Sequence, residues 1–268
     1  METILAAAIQ MTSGADRARN LETALGLIDR ACARGARFVG LPENVDFMGP
    51  EREKIEGAED LDGPTFSAYA AAARERGIWL LAGTIAERAP EPGRIYNTSV
   101  LYGPDGGAAG VYRKIHLFDV EIPDGATYRE SATVVPGREP VVAETGFARV
   151  GMSVCYDLRF PELYRALSAR DADVLAVPSA FTLHTGKDHW EPLLRARAIE
   201  NTCWVVAPAQ VGRHGANRVT YGNAMIVDPW GTVVARCSDG PGFCVAELSA
   251  EVLDHVRRQI PCLQHRRL

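Results

Sequence analysis

Two hydrophobic periods alternate along this chain, and that alternation restricts its fold more than any other feature. Residues 3–11 (T-I-L-A-A-A-I-Q-M) are a short apolar run of strand length. Residues 16–34 put Leu21, Ala24, Leu25, Ile28 and Cys32 on one face at helical spacing. The run R-F-V-G-L-P-E (37–43) predicts a buried strand ending at an acid, 65–76 a helix and 78–86 a strand. The segments 96–102 and 108–114 predict a hairpin about G-P-D-G-G, whose Pro and Gly suit chain reversal. Residues 119–140, with Pro123, Gly125, Pro136 and Gly137, read as a long irregular loop, a feature usually tied to function. Beyond it come a strand at 147–154, a helix from about Pro161, a strand at 173–178 and a helix at about 189–201. Asp188 and Glu191 resemble a capping box for that last helix. A strand at 203–210, a hairpin at 222–237 about D-P-W-G, a strand at 243–248 and a C-terminal helix complete the pattern.

Such a mixture of alternating helices and hairpins predicts an α/β fold with mixed sheets. No composition break or linker divides the 268 residues, so one domain is expected over 1–268. Its core spans about 3–248, and the C-terminal helix and tail at about 249–268 are a candidate dimer contact. The net charge of −5, with both signs interspersed, argues against nucleic acid or an anionic membrane as partner. The N-terminus lacks a basic n-region, and no run approaches the roughly 18 apolar residues of a membrane span. A cytoplasmic location is therefore expected. Six cysteines (32, 155, 203, 237, 244 and 262) form no C-x-x-C pair, so neither a zinc site nor a disulfide framework is expected. Cys203 and Cys244, in apolar runs, read as core residues.

Three reactive side chains end predicted strands, where distant parts of a sequence converge. Glu43 in L-P-E-N could serve as a general base, with burial expected to raise its pKa towards neutrality. Lys114 in Y-R-K-I-H-L-F could stabilise an oxyanion. Cys155 in S-V-C-Y-D-L-R-F-P-E lies between a strand and a helix, like a nucleophile elbow, where an ammonium and a helix N-terminus would favour thiolate. Read singly, each has an ordinary alternative: an ion-paired acid, a solvated lysine, a core thiol. His116, His184 and His189 are the histidines that a Cys–His peptidase would need, but no local signature of such a protease is present.

Together and in this order, the three segments resemble the Glu, Lys and Cys motifs of the nitrilase superfamily, over nearly the whole chain. The strings D-V-E-I-P, Y-R-E-S, P-S-A-F-T, H-W-E-P-L-L-R-A-R-A-I-E-N, D-P-W-G-T-V-V-A-R-C-S-D-G-P-G and Q-H-R-R resemble the branch that hydrolyses deaminated glutathione. The omega-amidase branch, acting on 2-oxoglutaramate, shares several of them. The resemblance implies a four-layer α-β-β-α sandwich of two mixed sheets flanked by helices, usually dimeric. It implies a second acid, matched by Glu130, 16 residues past Lys114. It further implies a cofactor- and metal-free hydrolase that opens a small primary amide through a cysteine thioester and releases ammonia, with the Tyr156 backbone N–H in the oxyanion site. Arg159, Arg195 and Arg197 are candidate clamps for a substrate carboxylate, and Thr182, His184 and Thr185 candidate pocket residues. Nitrile or N-carbamoyl-amine hydrolysis, and a non-catalytic scaffold of the same fold, are the other readings of the resemblance.

Overall fold

The computed structural model describes residues 1–121, 127–215 and 218–267. Pro123, Gly125 and the end of the D-V-E-I-P string lie outside them. The elements run β1 (Ile4–Met11), α1 (Arg17–Ala33), β2 (Phe38–Gly40), α2 (Glu51–Glu56), α3 (Pro64–Arg76), β3 (Trp79–Leu81), β4 (Ile85–Arg88), β5 (Ile95–Tyr102) and β6 (Ala108–Arg113). Then come β7 (Asp119–Glu121), β8 (Thr127–Arg129), β9 (Val141–Glu144), β10 (Arg149–Met152), α4 (Pro161–Ser168), β11 (Val174–Ala176) and α5 (Leu183–Asn201). The last are β12 (Trp204–Ala207), β13 (Ala209–His214), β14 (Arg218–Tyr221), β15 (Met225–Val227), β16 (Val233–Arg236), β17 (Gly242–Leu248) and α6 (Ala250–Gln259).

Apart from the separate pair β7–β8, the described strands form two mixed sheets. In the first, β1 runs parallel to β2 and β13 and antiparallel to β17, while β3, β5, β4 and β6 extend the sheet beyond β2. The second has the order β16-β15-β12-β11-β10-β9. Alternation along β1 builds the layers, because successive side chains leave opposite faces of a strand. Ala7, Ile9 and Met11 pack with Leu27 and Ile28 of α1 and Phe66 and Tyr69 of α3. Ala6 and Ala8 join the other cluster, with Val150, Met152 and Leu175 of the second sheet and Leu163, Leu167, Trp190 and Leu194 of α4 and α5. The result is helices, sheet, sheet, helices, as the resemblance implied. The sheets approach closely at Gly110, where an added Cβ would lie 2.8 Å from the Ala143 Cβ.

Five local expectations need correction, one of them the single strand foreseen at 203–210, which is β12 in the second sheet and β13 in the first, parted at Pro208. The apolar stretch 78–86 is two strands, β3 and β4, because Gly83 turns the chain with φ +62° and an added Cβ there would lie 2.0 Å from the Pro42 carbonyl oxygen. Residues 119–140 are not wholly irregular: β7 pairs antiparallel with β8, and a 3-10 turn follows at Glu130–Ala132. The strand foreseen at 147–154 is shorter, pairing antiparallel with the unforeseen β9. Finally, α5 starts at Leu183, not near 189. Its cap is Thr182, whose Oγ1 accepts from the Thr185 N–H at 3.5 Å, and Asp188 lies on the exposed face inside the helix. Gly186 and Pro192 argue locally against a helix here. Tertiary contacts win: Gly186 fits against Tyr221, and fully buried Trp190 donates its indole N–H to the Asn223 carbonyl at 2.8 Å. Truncating Trp190 would cost about 3–5 kcal/mol.

Candidate active site

The reactive residues come from ends of strands in both sheets. Glu43 follows β2 on a loop held by the β3–β4 turn: the Thr84 N–H donates to the Pro42 carbonyl at 3.3 Å, and the Asn44 N–H donates to Thr84 Oγ1 at 2.8 Å. Lys114 follows β6, its N–H bonded to the Asn97 carbonyl at 3.0 Å. Cys155 follows β10 and opens a 3-10 turn, Cys155–Arg159, with φ +50°, a conformation that L-residues rarely adopt. Its N–H donates to the Pro178 carbonyl at 2.9 Å, which ties the elbow to the end of β11.

Charge organises the centre. The Lys114 ammonium donates to Glu43 Oε1 at 2.9 Å and to Glu130 Oε2 at 2.8 Å. Asn97 Nδ2 bridges the same acids, at 3.0 Å to Glu43 and 3.1 Å to Glu130. The second oxygen of Glu43 accepts the Ala180 backbone N–H at 3.0 Å, and Glu130 Oε2 also accepts the Phe118 N–H at 2.7 Å. Burial pushes the Glu43 carboxyl up, but the charges of Lys114 and Arg218 and its hydrogen bonds outweigh that and hold it at about 2. Desolvation works against the buried ammonium too, yet Glu130 and Glu43 raise the Lys114 pKa. The Cys155 thiol is pushed well up, by burial first and the Glu43 charge second, with only partial relief from Lys114. Two sequence expectations are thereby reversed: Glu43 is a strongly held carboxylate, not a near-neutral acid, and Cys155 rests as a thiol.

A buried carboxylate beneath the centre joins the two sheets. Asp157, fully buried, accepts from Tyr112 Oη at 2.7 Å and the His116 N–H at 3.0 Å, and its Oδ1 lies 2.7 Å from His116 Nδ1. It also accepts the Val154 N–H at 2.8 Å. Tyr112 and His116 flank Lys114, and Val154 precedes Cys155, so one side chain fixes the lysine relative to the thiol.

A cavity of about 280 Å³ opens on Cys155, Glu43, Lys114 and Glu130, with Phe118, Tyr128, Tyr156 and Phe181 as aromatic walls. Thr182 and Thr185 line it as expected, while His184, Arg159, Arg195 and Arg197 do not. His184 is exposed on the first turn of α5. Arg159 stands behind the wall, its guanidinium carbon 5.8 Å from the Tyr156 ring centroid and 5.4 Å from that of Phe181. Arg195 donates to the Gly231 carbonyl at 2.7 Å. Buried Arg197 ties α5 to the elbow through the Leu158 carbonyl at 2.7 Å. His116 and His189 are outside the lining as well. Sequence reading missed Asn97, Ala180, Lys54 and Arg218; the polar run Asn97, Thr98, Ser99 inside the largely buried strand β5 was the one available signal. Among the described residues no cluster of three or more His, Cys, Asp or Glu side chains could hold a metal ion, all six cysteines are free, and no helix is long and apolar enough to cross a membrane.

Comparison with known proteins places the chain in a family. Residues 5–258 match the family model described as carbon-nitrogen hydrolase, and the chain belongs to that family. It is a hydrolase acting on carbon–nitrogen bonds other than peptide bonds. A relative from Synechocystis sp., named deaminated glutathione amidase, is 51% identical over 269 residues, 99% of each chain. The crystal structure of the C. elegans NitFhit protein superposes with a TM-score of 0.94 at 42% identity, covering 100% of this chain, which spans 66% of that one. Saccharomyces cerevisiae Nit3, described as a member of branch 10 of the nitrilase superfamily, gives a TM-score of 0.90 at 31% identity, covering 100% of this chain and 97% of that one.

Proposed function

We propose that the chain hydrolyses deaminated glutathione, with Cys155 as nucleophile, Glu43 as general base and acid, Lys114 as oxyanion donor and Glu130 as the acid that orients Lys114. The observation that carries this reading is the Lys114 ammonium, clamped between two carboxylates beside a thiol held at positive φ in one cavity. The name shared by full-length relatives supports the substrate.

The protonation states set the order of events. With Glu43 ionised and Cys155 protonated, the thiol keeps its proton until the substrate carbonyl arrives. Proton transfer to Glu43 then accompanies C–S bond formation. The carbonyl oxygen becomes an oxyanion, met by the remaining ammonium donor of Lys114 and the Tyr156 N–H; one such donor is worth about 10²–10³ in rate. Glu43 passes the proton to the leaving nitrogen as the C–N bond breaks, leaving a thioester on Cys155. Glu43 next takes a proton from water, the hydroxide attacks the thioester, and the acid and the free thiol are released. Deaminated glutathione carries no primary carboxamide, so its acyl half stays on Cys155 and its leaving group is the amine cysteinylglycine; ammonia is the leaving group only for a primary amide such as 2-oxoglutaramate. The products of the former are therefore 2-oxoglutarate and the dipeptide.

The test offers purified enzyme both compounds, measures 2-oxoglutarate with cysteinylglycine or ammonia, and uses Cys155→Ala as the blank. The expected result is faster turnover of deaminated glutathione, lost in the variant. Preference for 2-oxoglutaramate would move the chain to the omega-amidase reading, and turnover of neither would refute both.

A further inference from the structure

Four cations line the cavity, against the three carboxylates Glu43, Glu51 and Glu130, in a chain whose overall charge is −5. Lys114 is held by Glu43 and Glu130, and Lys54 Nζ donates to Asn44 Oδ1 at 2.8 Å. Arg129 is exposed at the rim. Arg218, the first residue of β14, is placed differently. Its Nη2 reaches only the Ala180 carbonyl, at a long 3.4 Å, and its Nε is buried with no acceptor among the described residues. A buried donor left unmet is a standing cost, so one in a cavity wall points to an acceptor that arrives with the ligand. Its surroundings narrow the choice. The guanidinium lies near the Tyr128 ring, 5.9 Å from its centroid, which leaves the planar fork for an anion. It is one peptide unit from the reacting centre, because the Ala180 carbonyl takes Arg218 while the Ala180 N–H goes to Glu43.

We propose that Arg218 is the specificity-determining residue of this enzyme, seating the terminal 2-oxo-carboxylate of the acyl half while the amide carbonyl lies against Cys155. The proposal rests on the deaminated glutathione reading and adds the group that selects its acyl half. It also explains why the selecting arginine is not Arg159, Arg195 or Arg197, all of which are engaged elsewhere.

Calorimetry with 2-oxoglutarate as probe tests it without turnover. Cys155→Ala should bind 2-oxoglutarate, and Cys155→Ala/Arg218→Met should bind it about 30-fold more weakly, the loss typical of a charge-assisted hydrogen bond. In the active enzyme, Arg218→Met should lower kcat/KM for 2-oxoglutaramate about 30-fold, mostly through KM, with at least a tenfold smaller fall for n-butyramide, which has no carboxylate. Arg218→Lys should recover part of the affinity. Failure of Cys155→Ala to bind 2-oxoglutarate, undiminished binding in the double variant, or equal losses on the two amides would overturn the proposal. The substrate reading fails separately, if wild-type enzyme releases no cysteinylglycine while 2-oxoglutarate still binds through Arg218.

Discussion

Glu43 and Asp46 sit three residues apart on one loop, both buried, and their carboxyls are driven in opposite directions. Glu43 is held at about 2; Asp46 is pushed up to about 6, by burial first, with Lys54 and Arg17 giving incomplete relief. Glu43 accepts from Lys114, Asn97 and Ala180 at 2.9–3.0 Å. Asp46 has Arg17 Nε only at 4.0 Å, and its Oδ1 meets no donor among the described residues. Burial is common to both, so the donors supplied by other parts of the fold decide whether a carboxylate stays charged. Glu43 is thereby kept ready for chemistry, and Asp46 is a cost carried beside it.

The hardest way to break this contrast is to remove the ammonium. Lys114→Met leaves Glu43 and Glu130 facing each other without a counter-charge. Activity should fall at least about 10³-fold, and urea unfolding should show a loss of about 3–5 kcal/mol, the usual result of orphaning a buried charge. Turnover near the wild-type rate would refute the roles of Lys114 and Glu43 in the reaction. Glu43→Gln is milder for stability, because Lys114 keeps Glu130, but it removes the proton acceptor; kcat should drop about 10²–10⁴-fold, with the protein melting as a folded species.

Asp157→Asn comes next. It retains the shape but weakens acceptance from Tyr112, His116 and Val154, so about 1–3 kcal/mol of stability should be lost. A fall in kcat with little change in KM would show that the lysine has shifted relative to the thiol.

The most specific effect is on pH dependence. Asp46 binds its proton more tightly folded than unfolded, about 6 against 3.8, so the folded state holds the extra proton and stability falls as pH rises between those values. The full swing is about 3 kcal/mol. Asp46→Asn should abolish this slope and stabilise the enzyme at pH 7. Glu43 has the opposite sign: its contribution is present above 4.5 and disappears as pH falls towards 2. Denaturant titrations of the two variants across pH 2–7 should therefore remove slopes of opposite sign; slopes of the same sign would contradict the contrast.

Much of this was written locally in the chain. The period-2 and period-3.6 patterns placed most strands and helices, and Glu43, Lys114 and Cys155 stood out because a reactive side chain at the end of an apolar strand has few reasons to be there. The start of helix α5 was misplaced because Asp188 and Glu191 imitate a capping box and Gly186 speaks against a helix before them, and only Tyr221 and Asn223, more than thirty residues downstream, settle the matter. The same limit explains the arginines: Arg159, Arg195 and Arg197 are close to the motifs in sequence, yet the cavity takes Arg218 from a strand of the other sheet. Sequence alone determined which side chains could react, because backbone period and side-chain chemistry are local properties. Which of them meet, and with what charge, was decided by the tertiary structure, because desolvation and Coulomb interaction depend on distances in space that neighbours in the chain do not specify.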